Sequence, residues 1–438
     1  MERRVYVVPG EKDETIHLKG QLSQILGAHP DQTQGLTYKA PFPADIRAGF
    51  YTLYVYGDMV SHQRVRDSYV PLLRGKIVNA DGTNIAAGAK VGFVNYPIAS
   101  LFSQVDATLG DRLISQSSNC YPYRAVLKGL LNYSQETLHS QFATGLFYKD
   151  TLNKLEETDP DGENTSFKKR STYTAGSRTV ELLGQIHIDL FFQEKLILNG
   201  IDVKIKMVQN KDEFCLMSGD AECYKVIITS ASLFVKKVKV SPAVKLGHAY
   251  ALTSANAKYP VERVNIKVFS MPAGIRVCNQ KNLFLGQLPK YVVIGIVDNE
   301  AFSGSSTRNP FNFKHNDVEF LALYMDSEQI PAKPFQPDFA SGYSAREYYN
   351  LVLATGKHLK DQALSITHSE FSQGYTVFAF DLTPDQECGG RFSLVKTGNM
   401  SFELCFHVPL PWTVNLIVYA IFDNIIEINQ RRNVLYDY

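Results

Sequence analysis

Short runs of β-branched and aromatic residues recur along nearly the whole chain, each stopped by Gly, Pro, Asn or Asp, and this pattern leaves few folds open. Residues 50–56, 292–297, 320–324, 375–380 and 416–422 are such runs. Val203, Ile205 and Met207 alternate with Lys204 and Lys206, as a strand with one wet face requires. Residues 225–229 and 233–240 read as two further strands. Only two segments carry a 3.6-residue period. One is 123–141, with Leu127, Leu130, Leu131 and Leu138 on related faces; the other is 345–355, with Ala345, Tyr348, Tyr349 and Val352 in register. Ser344 and Glu347 stand at the spacing of a capping box for the second helix. Many strands with one helix per half predict two β-sandwiches in tandem, an all-β chain with short buttressing helices.

A duplicated unit of about 200 residues is consistent with this order. Segments 101–109 and 318–325 each precede a helix. After each helix comes a strand with one acid amid apolar residues, 187–192 and 401–406, and then a second strand, 203–208 and 414–420. The expected division is a polar arm over 1–35, a first sandwich over 36–245 and a second over 246–438. The arm holds four basic and five acidic residues, so it does not read as a nucleic-acid tail.

Composition narrows the function classes. The 438 residues carry 45 Lys+Arg against 44 Asp+Glu, a net charge of +1. A protein that wraps nucleic acid normally shows a basic excess, so strong direct DNA or RNA binding is not expected. There are 26 Phe and 24 Tyr but one Trp, an aromatic stock suited to apolar interfaces. No stretch approaches the roughly 18 to 20 apolar residues of a membrane helix, and the N-terminus lacks the apolar core of a secretory signal. Cys120, Cys215, Cys223, Cys278, Cys388 and Cys405 include no C-x-x-C pair and read as reduced thiols of an intracellular protein.

Motifs for chemistry are sparse. Walker A, dinucleotide-binding, zinc-protease and nucleophile-elbow patterns are all missing, and no two of the ten His sit at i, i+4 on a helix. No metal or cofactor is expected. The segment 159–164 resembles a calcium loop only faintly and reads as a solvated acidic loop. Lys168, Lys169 and Arg170 read as a wet basic patch in a loop. His187 and Asp189 share one strand face at spacing two; an acid–base pair is conceivable, but the polar side of a sandwich strand fits better. Cys215 and Cys223 bracket a turn and read as buried thiols. The long insertions 153–174 and 300–316 are expected to be towers or clasps between assembled copies.

Several longer strings carry a resemblance. They are Ser117-Ser-Asn-Cys-Tyr-Pro-Tyr-Arg124, Leu130-Leu-Asn-Tyr133, Ala143-Thr-Gly-Leu-Phe-Tyr-Lys-Asp-Thr151, Asp189-Leu-Phe-Phe-Gln193, Leu198-Asn-Gly200 and Asn210-Lys-Asp-Glu-Phe-Cys-Leu-Met217. Near the C-terminus come Val418-Tyr-Ala420 and Arg431-Arg-Asn-Val-Leu-Tyr-Asp-Tyr438. Together they resemble the double jelly-roll major capsid protein (hexon) of Polinton/Maverick elements, adintoviruses and adomaviruses. The resemblance covers about 90–217 and 398–438 well, and hardly touches 1–50; Asn429 stands where it implies an acid.

The resemblance implies two eight-stranded jelly rolls per chain and a homotrimer forming a pseudo-hexagonal tile. It further implies an icosahedral shell around a DNA genome, with a single jelly-roll penton protein at the vertices. The residues it marks as structural are Asn119, Tyr121, Pro122, Tyr123, Arg124, Tyr148, Lys149, Asp150, Asp189, Phe191, Asn199, Gly200, Phe214, Arg432, Asn433 and Asp437. The location implied is the virion, with assembly in the host nucleus. Two other readings stay open: a carbohydrate- or receptor-binding β-sandwich, and a glycan-directed hydrolase on a double β-sandwich.

Overall fold

A computed structural model describes residues 5–9, 35–38, 50–55, 61–64, 66, 69–115, 119–220, 222–383 and 396–436. Most of the expected arm, Cys388 and Asp437 lie outside the described residues. The first half holds β1 (Val5–Pro9), β2 (Gly35–Tyr38), β3 (Phe50–Val55), β4 (Ser61–Arg64), β5 (Val70–Asn79), β6 (Val91–Phe93), β7 (Phe102–Leu109) and β8 (Arg112–Ser115). It continues with β9 (Val180–Leu183), β10 (Val203–Gln209), β11 (Leu216–Ser218) and β12 (Tyr224–Lys239). The second half holds β13 (Ala257–Met271), β14 (Val277–Gln287), β15 (Tyr291–Asp298), β16 (Val318–Met325), β17 (Glu328–Phe335), β18 (Val377–Asp381), β19 (Thr397–Phe406), β20 (Val414–Ile428) and β21 (Val434–Leu435).

The second half is wound simply. One sheet runs β13-β20-β15-β18 and the other β14-β19-β16-β17. With β21 set aside as a short addition to β20, the other eight strands taken in chain order pair as first-eighth-third-sixth and second-seventh-fourth-fifth. The first half repeats this winding. One sheet runs β2-β12-β5-β9, with β4 continuing the β5 side of β12; the other runs β3-β10-β7-β8, with β1 added on the β3 edge. Strands β6 and β11 form a separate small ladder. No ladder among the described residues joins the halves, and the chain passes from one to the other through helix Pro242–Ser254.

Burial explains the two sequence textures. Strand β15 is buried throughout, as is β20 from Val414 to Phe422, so both read as unbroken apolar runs. Their sheet is covered on its outer side, where Asn350 of helix Ala345–Ala354 donates to the Ala379 carbonyl at 2.7 Å. Gly295 lies in the middle of β15 because the Phe313 ring would stand 2.7 Å from any Cβ there. Strand β19 has a wetter face and alternates.

Several expectations are corrected. Residues 187–192 are not a strand: Asp189–Phe192 is a 3₁₀ turn, and His187 and Asp189 are both buried. The period-two alternation imitates a strand, but the acid is held inside by a cationic partner, not by solvent. The counterparts of β19 and β20 are therefore β10 and β12. Runs 225–229 and 233–240 are one strand, β12, with an irregularity between Ile228 and Ser230. The first helix ends at Asn132; Ser134 then caps a short helix Gln135–Ser140 through a bond from the Thr137 amide at 3.4 Å. Ser344 makes no side-chain cap: its Oγ lies 3.4 Å from His368 Nε2, while Glu347 turns its carboxylate to the Gln336 amide at 3.2 Å. The capping box that does form pairs Thr367 with Glu370. Lys168 to Arg170 lie on helix Thr165–Thr174, where Arg170 is fully buried. Cys215 is buried as expected, whereas Cys223 is exposed.

Candidate functional site

The residues marked by the resemblance converge on buried polar knots between the two sandwiches. The first knot is built on helix Tyr121–Asn132, which starts with Pro122 in its first turn, where the missing amide costs nothing. Its Arg124 is 1% exposed; it donates to Ser115 Oγ at 2.9 Å and is ion-paired with Asp189. The other Asp189 oxygen accepts the Val264 amide at 3.3 Å, on β13 of the second sandwich. Asp189 is thus used up structurally, not free to act on a substrate. His187 lies beside it, with Nε2 2.8 Å from the Tyr96 hydroxyl and its amide donating to Tyr121 Oη at 3.1 Å. Burial holds the His187 pKa well below its ordinary value, so the ring is neutral at pH 7. Lys128 caps this knot with its ammonium 3.0 Å from the Phe192 ring centroid, and burial lowers its pKa to about 7.

The second knot is centred on Asp150. One oxygen accepts Arg170 Nη2 at 2.6 Å and Asn164 Nδ2 at 3.0 Å; the other accepts Asn309 Nδ2, from the second sandwich, at 3.0 Å. The Asp150 carbonyl accepts the Tyr375 hydroxyl at 3.2 Å. Arg170 also donates to the carbonyls of Phe93 (2.8 Å) and Tyr148 (2.5 Å). Asn164 caps helix Thr165–Thr174 at the Phe167 amide. Next in sequence, Lys149 reaches across to the Ser365 carbonyl at 2.5 Å and to Glu370 at 2.6 Å. Burial lowers its pKa, and Glu370 opposes that shift.

An aromatic cluster joins the two knots. Tyr123 stacks on Phe302, with ring centroids 5.5 Å apart, and meets Phe214, Phe311 and Phe313 edge-on. Phe191 stacks on Tyr69. Gly374, at φ 108°, leaves room for Leu155 of the first sandwich, whose Cδ1 would stand 2.7 Å from a Cβ. The insertions expected to be towers or clasps between copies therefore meet within one chain: Glu156 accepts the Asn309 amide at 2.9 Å and Asn312 Nδ2 at 2.6 Å.

Two marked groups lie away from these knots. Asn119 is exposed just ahead of the first helix. Arg432 donates to Asn199 Oδ1 at 3.1 Å, beside Gly200 at φ 76°, and Asn433 donates its amide to Asn429 Oδ1 at 2.9 Å. Asn429 thus accepts through an amide oxygen where the resemblance implies an acid. Sequence reasoning missed Asn164, Arg170, Asn309 and Glu370; nothing in a single charged or amide residue marks it as buried.

A cleft of about 320 Å³ opens where the insertions meet, lined by Glu156, Lys314 and His315 among others. Its charges are mutually engaged: Lys314 lies 2.5 Å from Asp298 and 3.5 Å from Glu156. Among the described residues no three His, Cys, Asp or Glu side chains converge as metal ligands, and no helix is long and apolar enough to cross a membrane.

No family model matches the chain. The uncharacterized protein F54H12.2 of Caenorhabditis elegans is 25% identical over 371 residues, covering 83% of this chain and 86% of that protein. Among solved structures, a chain of the Sputnik virophage determined by cryo-EM superposes with a TM-score of 0.62 at 11% identity, over 95% of this chain and 91% of that one. PBCV-1 VP54, fitted into a Sputnik reconstruction, gives 0.56 at 10% identity, covering 94% and 100%. The mavirus major capsid protein gives 0.51 at 13% identity, covering 98% and 96%. The fold is a double jelly roll. The likeness runs along nearly the full length of the chain and so takes in both sandwiches.

Proposed function

We propose that the chain is the major capsid protein of a DNA virus or virus-like transposon of the Polinton/Maverick, adintovirus and adomavirus lineage. In this reading three copies close into a ring of six jelly rolls, a pseudo-hexagonal tile, and tiles pack an icosahedral shell. The observation that carries it is the buried junction. Two sandwiches of identical winding are fixed to each other by ions and amides that have no access to substrate, as a rigid building unit requires. The marked residues are then structural, and the chain is neither an enzyme nor a cofactor carrier. Its partners are copies of itself and a single jelly-roll protein at the vertices, in the virion, with assembly in the host nucleus.

The sandwich boundaries proposed are 36–245 and 246–438, and the arm over 1–35 ties neighbouring tiles or lines the inner surface of the shell. Size-exclusion chromatography with negative-stain microscopy tests the central point. Closed three-fold particles of hexagonal outline at about 150 kDa, three chain masses, are expected. A stable monomer at assembly concentrations overturns the reading.

A further inference from the structure

Helix Pro242–Ser254, which links the two sandwiches, has an unusual surface. Leu252 is its only buried residue. Leu246 is 72% exposed, Tyr250 78% and Val244 43%. Leu246 and Tyr250 stand at i, i+4 and form one outward stripe, flanked by Ala243, Gly247 and Ala251. The helix carries one Lys and one His and no acid. A solvent-facing helix normally shows charge on its outer side; this one shows apolar side chains.

The charge around it is one-sided. No Asp or Glu occurs between Glu222 and Glu262, although the chain has 44 of them, and that run carries six lysines. Lys239 is exposed just before the helix, and Lys245 lies within it. The helix is held to the body by His248, whose Nδ1 lies 3.0 Å from Nε2 of His62 on β4. Arg432 and Lys245 both act on His62, which puts the C-terminal turn at the same end. Among the described residues two acids are found near this end. Glu427 is bonded to Asn256 at 2.9 Å and paired with Lys258 at 3.6 Å; Glu194 is paired with Arg66.

An apolar stripe set in a basic surround matches a surface that is greasy beneath and anionic on top. We propose that helix Pro242–Ser254 docks on an anionic lipid bilayer, with Leu246 and Tyr250 entering the headgroup–acyl boundary and Lys239 and Lys245 meeting the lipid charge. Phosphate alone would not call for Leu246 and Tyr250, and a second copy of a near-neutral chain would not call for the acid-free run. A 13-residue helix binds weakly by itself. The proposal rests on the tile reading in one respect: a closed ring presents several such helices on one side, and their joint attachment makes binding measurable.

The experiment is flotation of the full-length protein with vesicles of phosphatidylcholine alone or with about 30% phosphatidylserine. Binding to the anionic vesicles only, weakened by salt, is expected. The variant L246E/Y250E, changed at exposed positions, should lose about tenfold or more, and K239Q/K245Q should lose binding to anionic vesicles in part. Size-exclusion chromatography of the same samples separates the two claims. Wild type and variants should elute alike; if none forms trimers, the tile reading fails whatever the vesicles show. Failure of wild type to float, or flotation unchanged in L246E/Y250E, overturns the lipid assignment. So does a changed oligomeric mass in that variant, which would make the helix a contact between copies, or loss of binding to a DNA fragment instead of to vesicles.

Discussion

At the scale of single residues, charge burial is what the fold depends on. Arg124 and Asp189 each lie inside the protein, so removing one strands the other; Asp189→Leu or Arg124→Met should cost about 3–5 kcal/mol in denaturant unfolding. The double variant should recover part of this loss but not all, because the Val264 amide loses its acceptor. Lys128 gives a pH-dependent signature. Its pKa is about 7 when folded against an ordinary 10.5, because burial disfavours the charge. The unfolded chain therefore binds more protons between these values, and stability contributed by this site rises with pH from about 7 to 10.5. Denaturation midpoints across that range should climb more steeply in the wild type than in Lys128→Met; equal slopes would show that Lys128 keeps its charge when folded.

At the scale of elements, the two helices differ in what they carry. Tyr123 is 1% exposed and faces rings from both sandwiches, so Tyr123→Ala should lower stability by about 3–5 kcal/mol. Tyr348, half-buried with its hydroxyl on the Ile366 carbonyl at 3.1 Å, should matter less. A thermal melt comparing the two checks the order. Strands such as β10, β15 and β20 and the two periodic helices were legible in the sequence because apolar period reports burial directly: β15 and β20 read as continuous runs, and helix Tyr121–Asn132 as a leucine stripe; β5, β13, β14 and helix Pro242–Ser254 carry weaker patterns and were not expected. The 187–192 segment misled because alternation says which side chains share a face, not what covers that face. The Ser344–Glu347 spacing misled for a related reason, since the Gln336 amide competes for the same carboxylate. The strings around Arg124, Asp150 and Asp189 were marked only as structural, and that they meet at the junction came from the fold; Asn164, Arg170 and Asn309 became visible only once the chain brought them to Asp150.

At the scale of the whole molecule, the halves share no sheet among the described residues yet are held by buried polar bonds at several places. Calorimetry of the wild type should therefore show one cooperative transition. Combining Asp189→Asn with Asn309→Ala should split it into two, as each sandwich keeps its own core; a single transition in that variant would mean the remaining contacts, the Lys149 and Glu156 bonds together with the aromatic cluster, suffice to couple them. The interlocked insertions at Asp150, Glu156 and Asn309 have one more consequence. In the shell proposed above, these bonds tie the two halves of each tile together, so the flexible point is not placed inside the tile. Any change in its radius has to be taken up at the seams between neighbours, so variation in particle size should trace to those edges and leave the body of each tile unaltered.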